Sequence, residues 1–233
     1  MEKQRVQKFI AMSGFCSRRR AEDLIKESRV KVNDEIVELG TKCLESDIIK
    51  IDNKEIKVNQ DLKYYILNKK FGFVCSKFDK FNKKTIYDLI SVDDNSLFSV
   101  GRLDKNTTGL IIITNDGNFA QRIIHPVNKI EKKYIVRLDK DLSQDNRNKL
   151  EKGIVLDGYK LNPCKIKNMS KNCFKVIISE GRKRQIRRMF EEVGLKVIKL
   201  HRYKIGNLDL GNLKEGQYKQ VDLKFLEKNI FEK

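Results

Sequence analysis

Gly101-Arg102-Leu103-Asp104-Lys105-Asn106-Thr107-Thr108-Gly109-Leu110 is a polar stretch between two apolar runs, residues 97–100 before it and 110–114 after it. Such a stretch reads as a loop joining two strands. Further strand-like runs lie at 64–67, 73–75, 133–138, 173–178 and 197–200, whereas 118–124 and 185–193 repeat apolar residues at helical spacing. The strands come in pairs rather than in strict β-α-β alternation. This predicts an α+β fold on a mixed, largely antiparallel sheet.

Upstream of that sheet the pattern changes. Val6, Phe9 and Ile10 follow helical spacing, and Gly14 stands just past them, where a left-handed residue can end a helix near Ser13. Ser17 can cap a second helix whose Ala21, Leu24 and Ile25 share one face. Arg18, Arg19 and Arg20 crowd its first turn, against the helix dipole. That placement favours an anion-binding duty. Val30 and Val32, the turn pair Asn33-Asp34, and Ile36, Ile49, Ile51 and Ile56 then mark short strands. The expectation is an αα-β module over residues 1–58, a polar linker at 59–63, and a larger domain over 64–233.

The chain has 233 residues, 39% of them hydrophobic, enough for a sizeable core, and 50 Lys+Arg against 32 Asp+Glu give a formal charge of +18. Residues 1–60 hold 13 Lys+Arg and 11 Asp+Glu, leaving 37 against 21 for residues 61–233. The surplus lies in the larger segment, and nucleic acid is the partner it points to. Five cysteines (Cys16, Cys43, Cys75, Cys164, Cys173), an odd number without a Cys-x-x-Cys pair, argue against a disulfide framework and a zinc site. His125 and His201 are far apart, so no metal is expected. The charged N-terminus shows neither a signal peptide nor a membrane span, which predicts a soluble, cytoplasmic protein without a membrane partner.

Asp104 is flanked by Arg102 and Lys105, and opposite charges favour the anionic form that a nucleophile or base requires. Taken alone, it reads as a turn or cap residue. Asn115-Asp116-Gly117 is read as a tight turn. In Glu180-Gly181-Arg182-Lys183-Arg184-Gln185-Ile186-Arg187-Arg188-Met189, five of the seven residues 182–188 are basic. Ile186, Met189, Phe190 and Val193 form a buried stripe, which leaves Arg184, Arg187 and Arg188 on other faces. The alternatives are a solvated basic face or a phosphate clamp with one arginine turned inward to a carboxylate. Tyr134 shares a strand face with Val136 and Leu138, as a core tyrosine would.

Together, Gly101–Asp104, Thr107-Thr108-Gly109-Leu110, Glu131-Lys132-Lys133-Tyr134, Gly181 to Met189 and Leu210-Gly211-Asn212-Leu213-Lys214-Glu215-Gly216-Gln217-Tyr218 carry a resemblance. In their order and spacing the chain resembles the RsuA-type ribosomal RNA pseudouridine synthases, the group of RsuA, RluB, RluE and RluF. The N-terminal module resembles the RNA-binding domain of small-subunit ribosomal protein S-four. The resemblance implies that Asp104 is the catalytic carboxylate acting at the uridine sugar. It implies further that Tyr134 stacks on the target base and acts in proton removal, that Arg187 pairs with Asp104, and that Arg102 fills the gap left by the flipped base. Relatives usually have a proline between Lys69 and Gly72, where this chain reads Lys70-Phe71. Its absence predicts a less rigid loop and unchanged chemistry.

The expected activity is isomerisation of a uridine to pseudouridine in ribosomal RNA, with large-subunit RNA preferred and small-subunit RNA the alternative. Arg18, Arg19, Arg20, Arg102, Arg182, Lys183, Arg184 and Arg188 are the expected RNA contacts. The partner is ribosomal RNA or a ribosome-assembly intermediate, bound by a monomer. Isomerisation is redox-neutral and needs no group carrier, so no cofactor is expected. A non-catalytic assembly factor has no use for a carboxylate among phosphate-seeking arginines. A nuclease would call for paired histidines or clustered carboxylates, and neither pattern is visible.

Overall fold

Caps and turn residues set the small N-terminal elements. After β1 (Gln4–Arg5), α1 (Val6–Met12) ends at Ser13, and Gly14 leaves it with φ of +79°. The Ser17 hydroxyl accepts from the Arg20 backbone N–H at 3.3 Å and starts α2 (Arg18–Lys26). β2 (Val30–Val32) and β3 (Glu35–Ile36) join through Asn33 and Asp34, both left-handed as a two-residue hairpin demands. β4 (Lys42–Cys43) pairs with β1; β5 (Ile49–Ile51) and β6 (Lys54–Ile56) complete a sheet of order β3-β2-β5-β6. The core of this unit is Val6, Phe9, Ile10, Leu24, Ile25, Val30 and Ile51.

The computed structural model describes residues 3–57, 61–77, 79–82 and 84–232. Residues 59 and 60 of the expected linker, and Val58 before them, lie outside the described residues. The chain divides into two compact units, residues 1–63 with 92–98, and residues 64–91 with 99–233. The expected continuous segment 64–233 is thus interrupted, because 92–98 groups with the N-terminal unit.

The second unit is built on a long sheet. Its elements are β7 (Tyr64–Lys69), β8 (Phe98–Ser99), β9 (Thr108–Thr114), α3 (Gly117–Ile124), β10 (Lys132–Leu138), α4 (Gln144–Glu151), the ribbon β11 (Val155–Leu156) and β12 (Tyr159–Lys160), β13 (Lys165–Ser170), β14 (Cys173–Ile178), α5 (Gln185–Glu191), β15 (Val197–Ile205), β16 (Leu208–Asp209), β17 (Tyr218–Val221) and α6 (Leu223–Phe231). The sheet runs β13-β14-β10-β15-β9-β7-β17, antiparallel except at β9 and β15, with β16 beside β15. The α+β class and the largely antiparallel sheet are as expected. Leu103, Val136, Phe174, Ile186, Met189 and Phe190 belong to one core. Elsewhere Phe119 of α3 meets Tyr64 edge-on at 5.4 Å and Phe231 of α6 at 6.2 Å. Among the described residues, no helix is long and apolar enough to cross a membrane.

Three local expectations need correction. Residues 73–75 form no strand; Val74 makes one isolated bridge to Thr85. The strand at 97–100 shrinks to Phe98–Ser99. Asn115-Asp116-Gly117 is a helix start and not a tight turn: Asp116 Oδ1 accepts from the N–H groups of Asn118 and Phe119, while its Oδ2 accepts from the Tyr64 hydroxyl at 2.8 Å. The same residue types serve both purposes, and here the Asp116 carboxylate caps the helix and also accepts from the buried Tyr64.

Where β9 and β15 run parallel, Arg202 faces Gly109, whose φ is +109°. A Cβ there would lie 2.2 Å from the Arg202 carbonyl oxygen. We expect Gly109→Ala to cost about 4 kcal/mol or more, through clash and backbone strain. Gly101→Ala, left-handed at φ +70° but with no atom near its would-be Cβ, should cost about 1–2 kcal/mol. Urea unfolding of the two variants checks the order; equal losses would contradict the close approach.

Candidate active site

The loop between Ser99 and Thr108 is shaped by hydrogen bonds to its own backbone. Thr107 N–H donates to the Asp104 carbonyl at 3.0 Å, and Gly72 N–H donates to the Lys105 carbonyl at 2.9 Å. Beneath it ends β7, a strand buried along its whole length, which carries Asn68 and Lys69 inside. Lys69 is fully buried, and its ammonium donates to the carbonyls of Lys70 (3.1 Å), Lys105 (3.2 Å) and Thr107 (2.7 Å). Three donors meet three acceptors, so burial of this charge is compensated. Burial still pushes the Lys69 amine down to about 8. This tie includes the Lys70 carbonyl, in the Lys70-Phe71 stretch that holds no proline.

Asp104 projects from this loop with its side chain 31% exposed. Arg187, on the buried face of α5, donates through Nη1 to the Val197 carbonyl (2.9 Å) and through Nη2 to the Asn106 carbonyl (2.7 Å). Two backbone acceptors therefore fix the guanidinium plane and leave Nε without a hydrogen-bond partner, 4.0 Å from Asp104 Oδ2. That is an ion pair without a hydrogen bond. Burial, together with nearby Arg184, pushes Arg187 below its ordinary value, and Asp104 pulls it back.

Asp104 opens onto a pocket of about 140 Å³, lined also by Arg102, Tyr134, Arg182, Arg184 and Arg202 among others. The sheet supplies its floor: on β10, Lys132 and Tyr134 share a face by period two, and Tyr134 stands opposite Arg202 of β15. Of the lining residues five are cationic and two acidic, Asp104 and Glu180. Glu180 is occupied by the Asn162 backbone N–H and the Gln185 side-chain amide.

The structure thus brings Asp104, Tyr134, Arg102, Arg182 and Arg184 to one pocket, with Arg187 reaching Asp104 from α5. Arg182 lies over the Tyr159 ring at 3.2 Å from its centroid. Lys183 is exposed, outside the pocket wall. Arg188 is engaged by Asp157 at 2.6 Å on the surface. Arg18, Arg19 and Arg20 are exposed in the N-terminal unit, where Arg20 pairs with Glu27 at 3.0 Å. The sequence reading passed over Lys69, Lys132 and Arg202. The signal was present for Arg202, which falls at a core-facing position two residues after Leu200.

Residues 63–192 match the family model of RNA pseudouridylate synthase, more than half of the chain. The chain belongs to this pseudouridine synthase family. Pseudouridine synthases are isomerases, and the resemblance drawn from the motifs holds. Residues 4–49 match the model of the S4 domain. Ribosomal large subunit pseudouridine synthase B of Bacillus subtilis is 38% identical over 214 residues, covering 89% of this chain and 87% of the relative. Ribosomal small subunit pseudouridine synthase A of Haemophilus influenzae is 37% identical over 210 residues, covering 88% and 90%. A crystal structure of a pseudouridylate synthase superposes with a TM-score of 0.73 at 35% identity, covering 97% of this chain and 99% of that one.

We expect Lys69→Met to lower stability by about 2–4 kcal/mol, since it strands three carbonyls that now accept from the ammonium. The folded-state value of Lys69, about 8, lies below its unfolded value, so between these limits the unfolded chain binds more protons and wild-type stability rises with pH. The variant lacks this gain. Its deficit should widen from pH 8 towards pH 10 in urea unfolding; a constant deficit would contradict the titration.

Proposed function

We propose that this chain isomerises a specific uridine of ribosomal RNA to pseudouridine, in large-subunit RNA, with Asp104 as the carboxylate that acts at the sugar. The observation that carries the reading is a carboxylate set among arginines in a base-sized pocket faced by Tyr134. A stacked uridine must leave the helix before its glycosidic bond can be reached. Arg102 is proposed to occupy the gap the base leaves; its exposure at the pocket supports this. Tyr134 offers its ring to the flipped base and its hydroxyl to the proton that must leave carbon 5. Arg187, held by two carbonyls, keeps its charge beside Asp104 without consuming a carboxylate lone pair in a short hydrogen bond.

Arg182, Lys183 and Arg184 are proposed to grip phosphates beside the target, and Arg18, Arg19 and Arg20 to dock a neighbouring RNA element. The likeness to a large-subunit enzyme supports the subunit assignment; the likeness to a small-subunit enzyme at similar identity supports the second reading, small-subunit RNA. The five cysteines are all free, which supports a reducing, cytoplasmic setting.

Asp104→Asn should lower the single-turnover rate by at least about 1,000-fold, roughly 4 kcal/mol in barrier, with RNA affinity equal or higher. A residual rate within about tenfold of wild type would remove Asp104 from this role. Arg187→Ala should impair turnover at saturating RNA more than affinity, whereas joint change of Arg18, Arg19 and Arg20 to Ala should weaken affinity and spare saturating turnover. Loss of affinity alone in both would make Arg187 an ordinary phosphate contact.

A further inference from the structure

Arg202 is 5% exposed, lines the pocket, and spends its Nε on the Leu110 carbonyl at 2.8 Å, while its Nη2 is buried without a hydrogen-bond partner. Lys132 lines the same pocket, and among the described residues its Nζ has a single long bond, 3.5 Å, to the Ile123 carbonyl. Neither forms an ion pair among the described residues. Of the two carboxylates in the wall, Asp104 pairs with Arg187 and Glu180 already accepts two hydrogen bonds. Two cations left uncompensated in a partly buried wall are costly unless a ligand meets them. The cost is visible at Lys132, which burial and the Arg202 charge push down to about 8.

We propose that Lys132 and Arg202 receive the carbonyl oxygens of the uracil ring and stabilise the negative charge the ring takes on as it leaves the ribose. The proposal rests on the reading of Asp104 and its pocket given above. When the C1′–N1 bond breaks, its electron pair stays with the ring, spread over N1, O2 and O4. The ring turns, carbon 5 supplies the pair for the new bond to C1′, the proton on carbon 5 leaves, and N1 takes one up. Substrate and product have the same atoms and charge. Donors already in place where this charge develops lower the barrier without reorganisation. Their position on the strands β10 and β15, on the wall that also presents Tyr134, suits the edge of a base better than a phosphate on the RNA backbone.

Lys132→Met, which keeps length and removes the charge, should reduce the single-turnover rate at saturating RNA by about 100-fold. RNA affinity should stay within about threefold, and stability should be equal or higher because a buried charge is gone. Lys132→Arg should recover most of the rate. Arg202→Lys should retain more rate than Arg202→Met, each compared after cooperative unfolding confirms a folded protein; if Arg202→Met does not fold, the Lys132 pair decides. Rates unchanged in Lys132→Met, or a loss confined to affinity, would overturn the proposal and leave the assignment of Asp104 standing. A wild-type protein that forms no pseudouridine in ribosomal RNA would overturn both together.

Discussion

The buried ammonium of Lys69 is the tie on which the candidate site depends. A lysine at the end of a fully buried strand is tolerated because its three N–H bonds end on three carbonyls, two of them in the loop that carries Asp104. Without that tie the loop would have the Thr107 turn and the Gly72 bond to fix it. With it, the backbone on the C-terminal side of Asp104 is pinned to the end of β7, next to the sheet's edge strand. At Lys70-Phe71 the constraint on the chain comes from hydrogen bonds rather than from a proline ring.

The second constraint is the β9–β15 seam. It needs Gly109 because Arg202 backbone comes too close for any side chain, and the same register sets Arg202 opposite Tyr134 on the neighbouring strand. Strand pairing therefore decides which cations reach the pocket. Arg187 illustrates the same economy from the helical side. Its guanidinium is fixed by carbonyls of Val197 and Asn106, so its charge is delivered to Asp104 at a set distance. An acid held this way among arginines weakens RNA attraction, which is why chemistry explains it better than binding alone.

Much of the fold was legible in the chain. The hairpin at Asn33-Asp34, the Ser17 cap and the paired strands follow from local chemistry, and each recurs in the structure. Two of the misreadings involve partners distant in sequence. Asp116 caps a helix and also meets a tyrosine 52 positions earlier in sequence, and residues 92–98 leave the segment that surrounds them. Such long-range contacts have no local signature. At the candidate site the ordered motifs pointed to Asp104, Tyr134 and Arg187, whereas Lys69 and Arg202 lie just past the strand-like runs 64–67 and 197–200, and Lys132 just before 133–138, with no chemical signal of their own. Their significance appears only once burial and the unpartnered Nη2 are seen.

The central claim is that this chain makes pseudouridine at a defined place in ribosomal RNA through Asp104. The most direct measurement maps pseudouridine at nucleotide resolution across both ribosomal subunit RNAs in cells lacking the gene, complemented with the wild-type chain or with Asp104→Asn. The account predicts one large-subunit site that disappears on deletion, returns with the wild-type chain and stays absent with the variant. Maps that are identical with and without the gene, or a site restored equally by Asp104→Asn, would contradict it.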